Sequence, residues 1–207
     1  MMAQLELVHA APLDLTVANP SPDHHVIALL VNEGARVLDL GCGDGALMSL
    51  LARERKAKVR GIEIDAGRAH RCVARGLSVV QGDCERDLDA FPSGSFDYVV
   101  LSHTLQHLRR PQAALKQAAR IGERVIVSIA NAGRFNARWK LLTAGKLGPS
   151  EAPHRYTIRD FAELCREMHL TIERAAPLSR GNPGAPFANT IWRANWFAEE
   201  AVFLLAP

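Results

Sequence analysis

The sequence predicts a doubly wound α/β fold on a mostly parallel sheet. Three observations carry that prediction. A glycine-rich turn, Gly41-Cys42-Gly43-Asp44-Gly45, joins an apolar stretch to a helical pattern. Two further apolar stretches end at acidic residues, Glu63 and Asp83. Strand-like and helix-like segments then alternate as far as Ala130, as βαβ units require.

The elements follow in order. Residues 1–22 hold three prolines and little periodicity and are expected to form an irregular arm; residues 23–207 are expected to form one domain. DHHVIALLVNEG reads as a helix with Asp23 as N-cap and Gly34 as its stop. His24 and His25 fall in its first turn and are expected to be exposed. RVLDL is the first strand and the glycine turn opens a helix over 45–55. KVRGIEID is the second strand; Asp65 is placed to cap the helix that ends at Gly76. LSVVQGD is the third strand and Phe96–Leu101 the fourth, with Ser102, His103, Gln106 and His107 at its carboxyl end. Pro111 opens a helix over 111–121, and ERVIVSIAN is a fifth strand buried on both faces. An insert follows, with an amphipathic piece around Trp139 and Leu142. Thr157 and Asp160 form a capping box before FAELCREM. LTIERAAPL and AEEAVFLLA are two closing strands joined by a Gly/Pro-rich link over 180–190, pairing as an antiparallel hairpin at one edge.

Composition sets outer bounds. The chain has 207 residues, 48% hydrophobic and 23% charged, enough for a full core. A net charge of +3, with arginines dispersed, argues against nucleic acid as a partner. No apolar run approaches the ~20 residues of a membrane span, and no signal peptide is visible, so a cytoplasmic protein is expected. Cys42, Cys72, Cys84 and Cys165 lack metal-ligand spacing and read as reduced thiols; no metal is expected.

The chemistry concentrates at the carboxyl ends of the strands, where open α/β sheets bind ligands. The third glycine comes too early for a dinucleotide fingerprint, and Asp39 lies inside the strand before the turn. RVLDLGCGDG thus resembles the first motif of class I S-adenosylmethionine (SAM) methyltransferases. That resemblance implies a loop of Gly41, Cys42, Gly43, Asp44 and Gly45 around the amino-acid part of SAM or S-adenosylhomocysteine. Asp39 and Asp44 would face its ammonium group, directly or through water. Glu63, ~20 residues after the loop, is placed to accept both ribose hydroxyls, with Ile64 beside it. Asp83 could accept from the adenine amino group, the Cys84 N–H could serve a ring nitrogen, and Ser102 completes the cofactor set.

The resemblance extends further. VLDLGCGDG, GIEID, RCVARGLSVVQGD, FPSGSFDYVVLS, TLQ, RRP and AEEAVFLL together resemble the methionine biosynthesis protein MetW family, from about residue 34 onward. The resemblance implies a Rossmann-like class I SAM-methyltransferase fold: seven strands, mostly parallel, with an antiparallel closing strand. It also implies work beside homoserine O-acyltransferase, and it names no methyl acceptor. SHTLQHL departs from the family, which usually has Gln and a small residue where this chain has His103 and His107. An active methyltransferase on a small molecule is therefore the alternative reading.

For that alternative His103 is the candidate general base, since neutral imidazole can accept a proton near physiological pH. The competing role is a histidine that bonds backbone and shapes the pocket. His107 has a weaker claim, and His154 is expected to be an exposed loop residue. Core packing is expected for at least two of Trp139, Trp192 and Trp196. Arg109 and Arg110 stand between a solvated turn and a site for an acidic partner.

Overall fold

The computed structural model describes residues 19–145, 152–179, 182–183 and 191–207. The arm over 1–18 and most of the 180–190 link lie outside them. Helices α1 (Pro22–Leu30), α2 (Ala46–Arg55), α3 (Ala66–Ala74) and α4 (Pro111–Ile121) alternate with strands β1 (Arg36–Leu40), β2 (Lys58–Glu63), β3 (Ser78–Gln81), β4 (Phe96–Ser102) and β5 (Gly122–Ala130). Then come α5 (Phe135–Ala144), α6 (Ile158–Glu167), β6 (Thr171–Ser179), the two-residue β7 (Asn182–Pro183), α7 (Ile191–Phe197) and β8 (Glu200–Ala206).

The strand order is β3-β2-β1-β4-β5-β8-β6-β7. The first five strands are parallel, and β8 pairs antiparallel with both β5 and β6. Of the seven long strands only β8 therefore runs against the rest, as expected. The closing pair departs from a simple edge hairpin. β8 inserts between β5 and β6, and α7 stands between the two strands in sequence. α7 has no strong sequence signal, since most of its seven residues, IWRANWF, carry little helix propensity. It is held by tertiary contact: Asn131 is buried and its Nδ2 donates to the carbonyls of Asn195 (3.1 Å) and Ala198 (2.9 Å).

Side-chain alternation divides the core into two layers. Leu38, Leu40, Val99, Leu101, Val125, Val127 and Phe203 pack on the side of α4 and α6, with Leu115, Phe161 and Cys165. Val37, Tyr98, Val100, Ile126, Val202 and Leu204 pack on the other side with α1 and α2. Continuing that second parity to the carboxyl edge gives Asp39, Ser102, Ser128 and, on β8, Glu200. A polar row therefore ends the face covered by α1.

Local signals explain most boundaries. Asp65 caps α3, its Oδ1 accepting from the Arg68 N–H at 2.8 Å. Thr157 Oγ1 accepts from Asp160 N, and Asp160 Oδ2 accepts from Thr157 N, both at 3.1 Å. At α1 the expectation is corrected. Ser21 is the N-cap and Pro22 the first helical residue, so Asp23 lies inside the first turn and is fully buried. The tryptophan expectation also fails, since Trp139 and Trp196 are both exposed.

Candidate functional site

The turn after β1 is built by Gly41, Gly43 and Gly45, all at positive φ. Gly41 (φ 73°) packs so close to Thr104 that an added Cβ would stand 2.8 Å from its side chain. Gly43 (φ 57°) faces open space, so bare backbone is presented to whatever lies above it. The Glu63 carboxylate closes the turn from beneath: Oε2 accepts from Gly43 N at 2.8 Å and Oε1 from Asp65 N at 3.0 Å. Glu63 is itself buried, yet each oxygen keeps acceptor capacity for a further donor.

A cleft of 610 Å³ opens at this edge, lined by residues that include Gly41, Glu63, Ile64, Asp83, Cys84 and His107. Gly41 of the glycine turn and the ends of β2 and β3 thus border one cavity, whereas Asp39, Cys42, Gly43, Asp44, Gly45 and Ser102 are not among its lining residues. A larger groove of 850 Å³ lies beyond Cys84, against α4 and Met168–Leu170. It holds neither the glycine loop nor Glu63, so the smaller cleft is the candidate site. Ile64 is exposed in the cleft. Asp83 Oδ1 accepts from Glu85 N at 2.8 Å. Burial pushes the Cys84 thiol up to about 12, so this sulfur stays protonated.

Asp39 is buried at the end of β1. Burial, then the negative charges of Glu63 and Asp23, push its carboxyl up to about 7. A cation beside these three carboxylates would relieve that repulsion. Asp44 is committed elsewhere, in an ion pair with Arg71 at 2.7 Å. Cys42 is buried, and burial raises its thiol far above the ordinary range. The Arg109 and Arg110 backbone N–H groups are held by the Glu85 carboxylate (3.1 and 2.6 Å), and both residues line the cleft.

Ser102 and His103 face a second cluster. Ser102 Oγ and Ser128 Oγ each donate to Asp23 Oδ2 at 2.8 Å, and Ser21 Oγ donates to the other oxygen. Burial alone would raise Asp23. The Ser21 hydrogen bond, the charges of His103 and His24 and the Ser102 hydroxyl outweigh it, holding the carboxyl below its ordinary value. His103 sits at φ 50°, a left-handed backbone rare for histidine, with its N–H held by Ser128. Its Nε2 lies 3.5 Å from Asp23 and 3.7 Å from Glu200. Burial would lower its pKa, but the two carboxylates outweigh that and raise it. The ring is thus biased toward its protonated form, not the neutral base expected from its ordinary pKa.

Other histidines also depart from expectation. His24 is half-buried and its Nδ1 accepts from Ser21 N at 3.3 Å; burial lowers its pKa. His154 is half-buried and stacks on Tyr156 with ring centroids 6.2 Å apart. His25 is exposed. Sequence reasoning missed Asp23 and Glu200, although Ser21-Pro22 is itself a helix-start signature that frees Asp23 from capping.

Comparisons with known proteins bear on the family and the fold. The sequence profile described as methionine biosynthesis protein MetW matches residues 21–205. A bifunctional methionine biosynthesis protein MetXA/MetW from Rhodopirellula baltica is 28% identical over 183 residues, 79% of this chain. A ubiquinone biosynthesis O-methyltransferase from Xanthomonas oryzae is 36% identical over 139 residues, 63% of this chain. The alignments span 29% and 57% of those relatives' lengths. A SAM-dependent methyltransferase from Thermotoga maritima superposes with a TM-score of 0.67 at 20% identity, covering 89% of this chain and 87% of that one. That likeness shows the class I SAM-methyltransferase fold. With the profile running from the cap of α1 to β8, the chain belongs to the methionine biosynthesis protein MetW family.

Proposed function

We propose that this protein binds SAM in the 610 Å³ cleft and, through its occupancy, regulates a homoserine O-acyltransferase of methionine synthesis. The relative that joins MetXA and MetW in one chain carries the partner half of this reading. The cleft and the turn and strand end beside it support the cofactor half. Gly43 offers open backbone, Glu63 has spare acceptor capacity for ribose hydroxyls, and Asp39 supplies negative charge for the ammonium group. SAM is made from methionine, so its occupancy would report the pathway's output. The test is a pull-down with the full chain followed by an acyltransferase assay, with SAM present and absent. The expected result is a co-purifying acyltransferase whose rate changes when this protein is added and changes again with SAM. An unchanged rate under both conditions sinks the reading.

A second reading, methyl transfer to a small molecule, draws on the ubiquinone O-methyltransferase relatives. It would use His103 as base, against the raised pKa of its ring. Release of S-adenosylhomocysteine with an acceptor pool, lost in His103→Ala, would favour it.

A further inference from the structure

We propose that Asp23, His103 and Glu200 form a three-ligand site for a divalent first-row transition-metal ion. No sequence spacing announces such a site, since its members come from α1, the residue after β4 and the first residue of β8. The fold brings one ligand atom of each within 4.8 Å of the others.

The distances favour coordination over a hydrogen-bonded ion pair. His103 Nε2 stands 3.5 Å from Asp23 Oδ2 and 3.7 Å from Glu200 Oε2. A charge-assisted N–H···O bond would close to about 2.7–2.9 Å. A tetrahedral ion with ligand bonds of about 2.0–2.1 Å sets its ligand atoms roughly 3.3–3.4 Å apart. These two separations are close to such an edge and longer than a strong hydrogen bond, and the two carboxylate oxygens lie within 4.8 Å of each other.

The surroundings resemble the supporting shell of a metal site. Asp23 is fully buried and oriented by hydroxyls of Ser21, Ser102 and Ser128, as ligating carboxylates are. One of the two hydroxyls on Oδ2 yields its place to the ion. His103 is fixed through its backbone N–H by Ser128. The side chains of His103 and Glu200 are 31% and 33% exposed, leaving coordination positions open to water or a ligand oxygen. One imidazole and two carboxylates suit Zn²⁺, Mn²⁺ or Co²⁺. The absence of thiolate disfavours Cu⁺, and the imidazole disfavours Mg²⁺ and Ca²⁺.

The experiment strips the full chain with a chelator, desalts it, and titrates Co²⁺ and then Zn²⁺ by calorimetry and visible absorption. The expected result is one Co²⁺ per chain with d–d bands, displaced by Zn²⁺. Glu200→Gln and His103→Gln should each weaken uptake at least about 10–100-fold while far-ultraviolet circular dichroism is preserved. His25→Ala should retain full uptake, which separates the site from adventitious binding at the adjacent histidines. Uptake that is absent from the wild type, unchanged in both Gln variants, or lost in His25→Ala overturns the proposal. The three groups would then be an ion triad closed by a proton.

Discussion

Asp39 shows how one buried carboxyl can couple ligand to proton. Its pKa in the fold is about 7 against 3.8 for the free residue. The folded protein therefore holds this proton where the unfolded chain has released it. The stability it contributes is fully present below about pH 3.8 and is lost as pH rises through about 7. A cation at the site reverses the preference. SAM affinity should increase from pH 6 to 8, with proton release on binding visible as buffer-dependent heats in calorimetry. Asp39→Asn should abolish that dependence and weaken binding by roughly 10–100-fold. Gly41 and Gly43 separate two effects of an added methyl group. Gly41→Ala meets Thr104 as well as an unfavourable φ, so urea unfolding should show it losing more than the roughly 1–2 kcal/mol of left-handed strain alone. Gly43→Ala should lose only the strain term, yet impair SAM binding, because its Cβ projects into open space.

At the scale of elements, the legible features were those with a local cause. α4 begins at Pro111 and ends at Ile121 as the sequence predicts, because proline starts it and the apolar face fixes its register. The capping box of α6 was equally plain. Thr157→Ala should cost about 1 kcal/mol, read as a lower urea midpoint with unchanged slope. Features with distant causes were not legible. The end of α7 is tied down by Asn131, which holds the carbonyls of Asn195 and of Ala198 just after the helix from more than sixty residues away. Asp23 looks like a cap in the sequence, two residues past the true cap of α1, because two of its partners, Ser102 and Ser128, are far along the chain. The cleft at the ends of β1, β2 and β3 could be read because Gly41, Glu63 and Asp83 follow successive strands in order. The Asp23–His103–Glu200 cluster could not, since no local pattern links three such separated positions.

For the whole molecule, the sheet is the common wall of two cores, and β8 contributes to both. Phe203 packs against Phe161 of α6 with ring centroids 4.7 Å apart and is almost fully buried. Phe203→Ala should destabilise the entire domain by roughly 3–5 kcal/mol, because the cavity opens where α6 meets the sheet. A single unfolding transition seen by both tryptophan fluorescence and circular dichroism would show that the loss is global. The same wall carries the polar row at its carboxyl edge, so a defect in β8 should also disturb Glu200 and its neighbours.

The position of β8 has a consequence for synthesis. A chain emerging from the ribosome completes β6 while the place beside β5 is still vacant, for the strand that belongs there is only translated later. Until residues 200–206 emerge, both β5 and β6 expose unpaired edges, and the nascent domain is open to wrong partners at that seam.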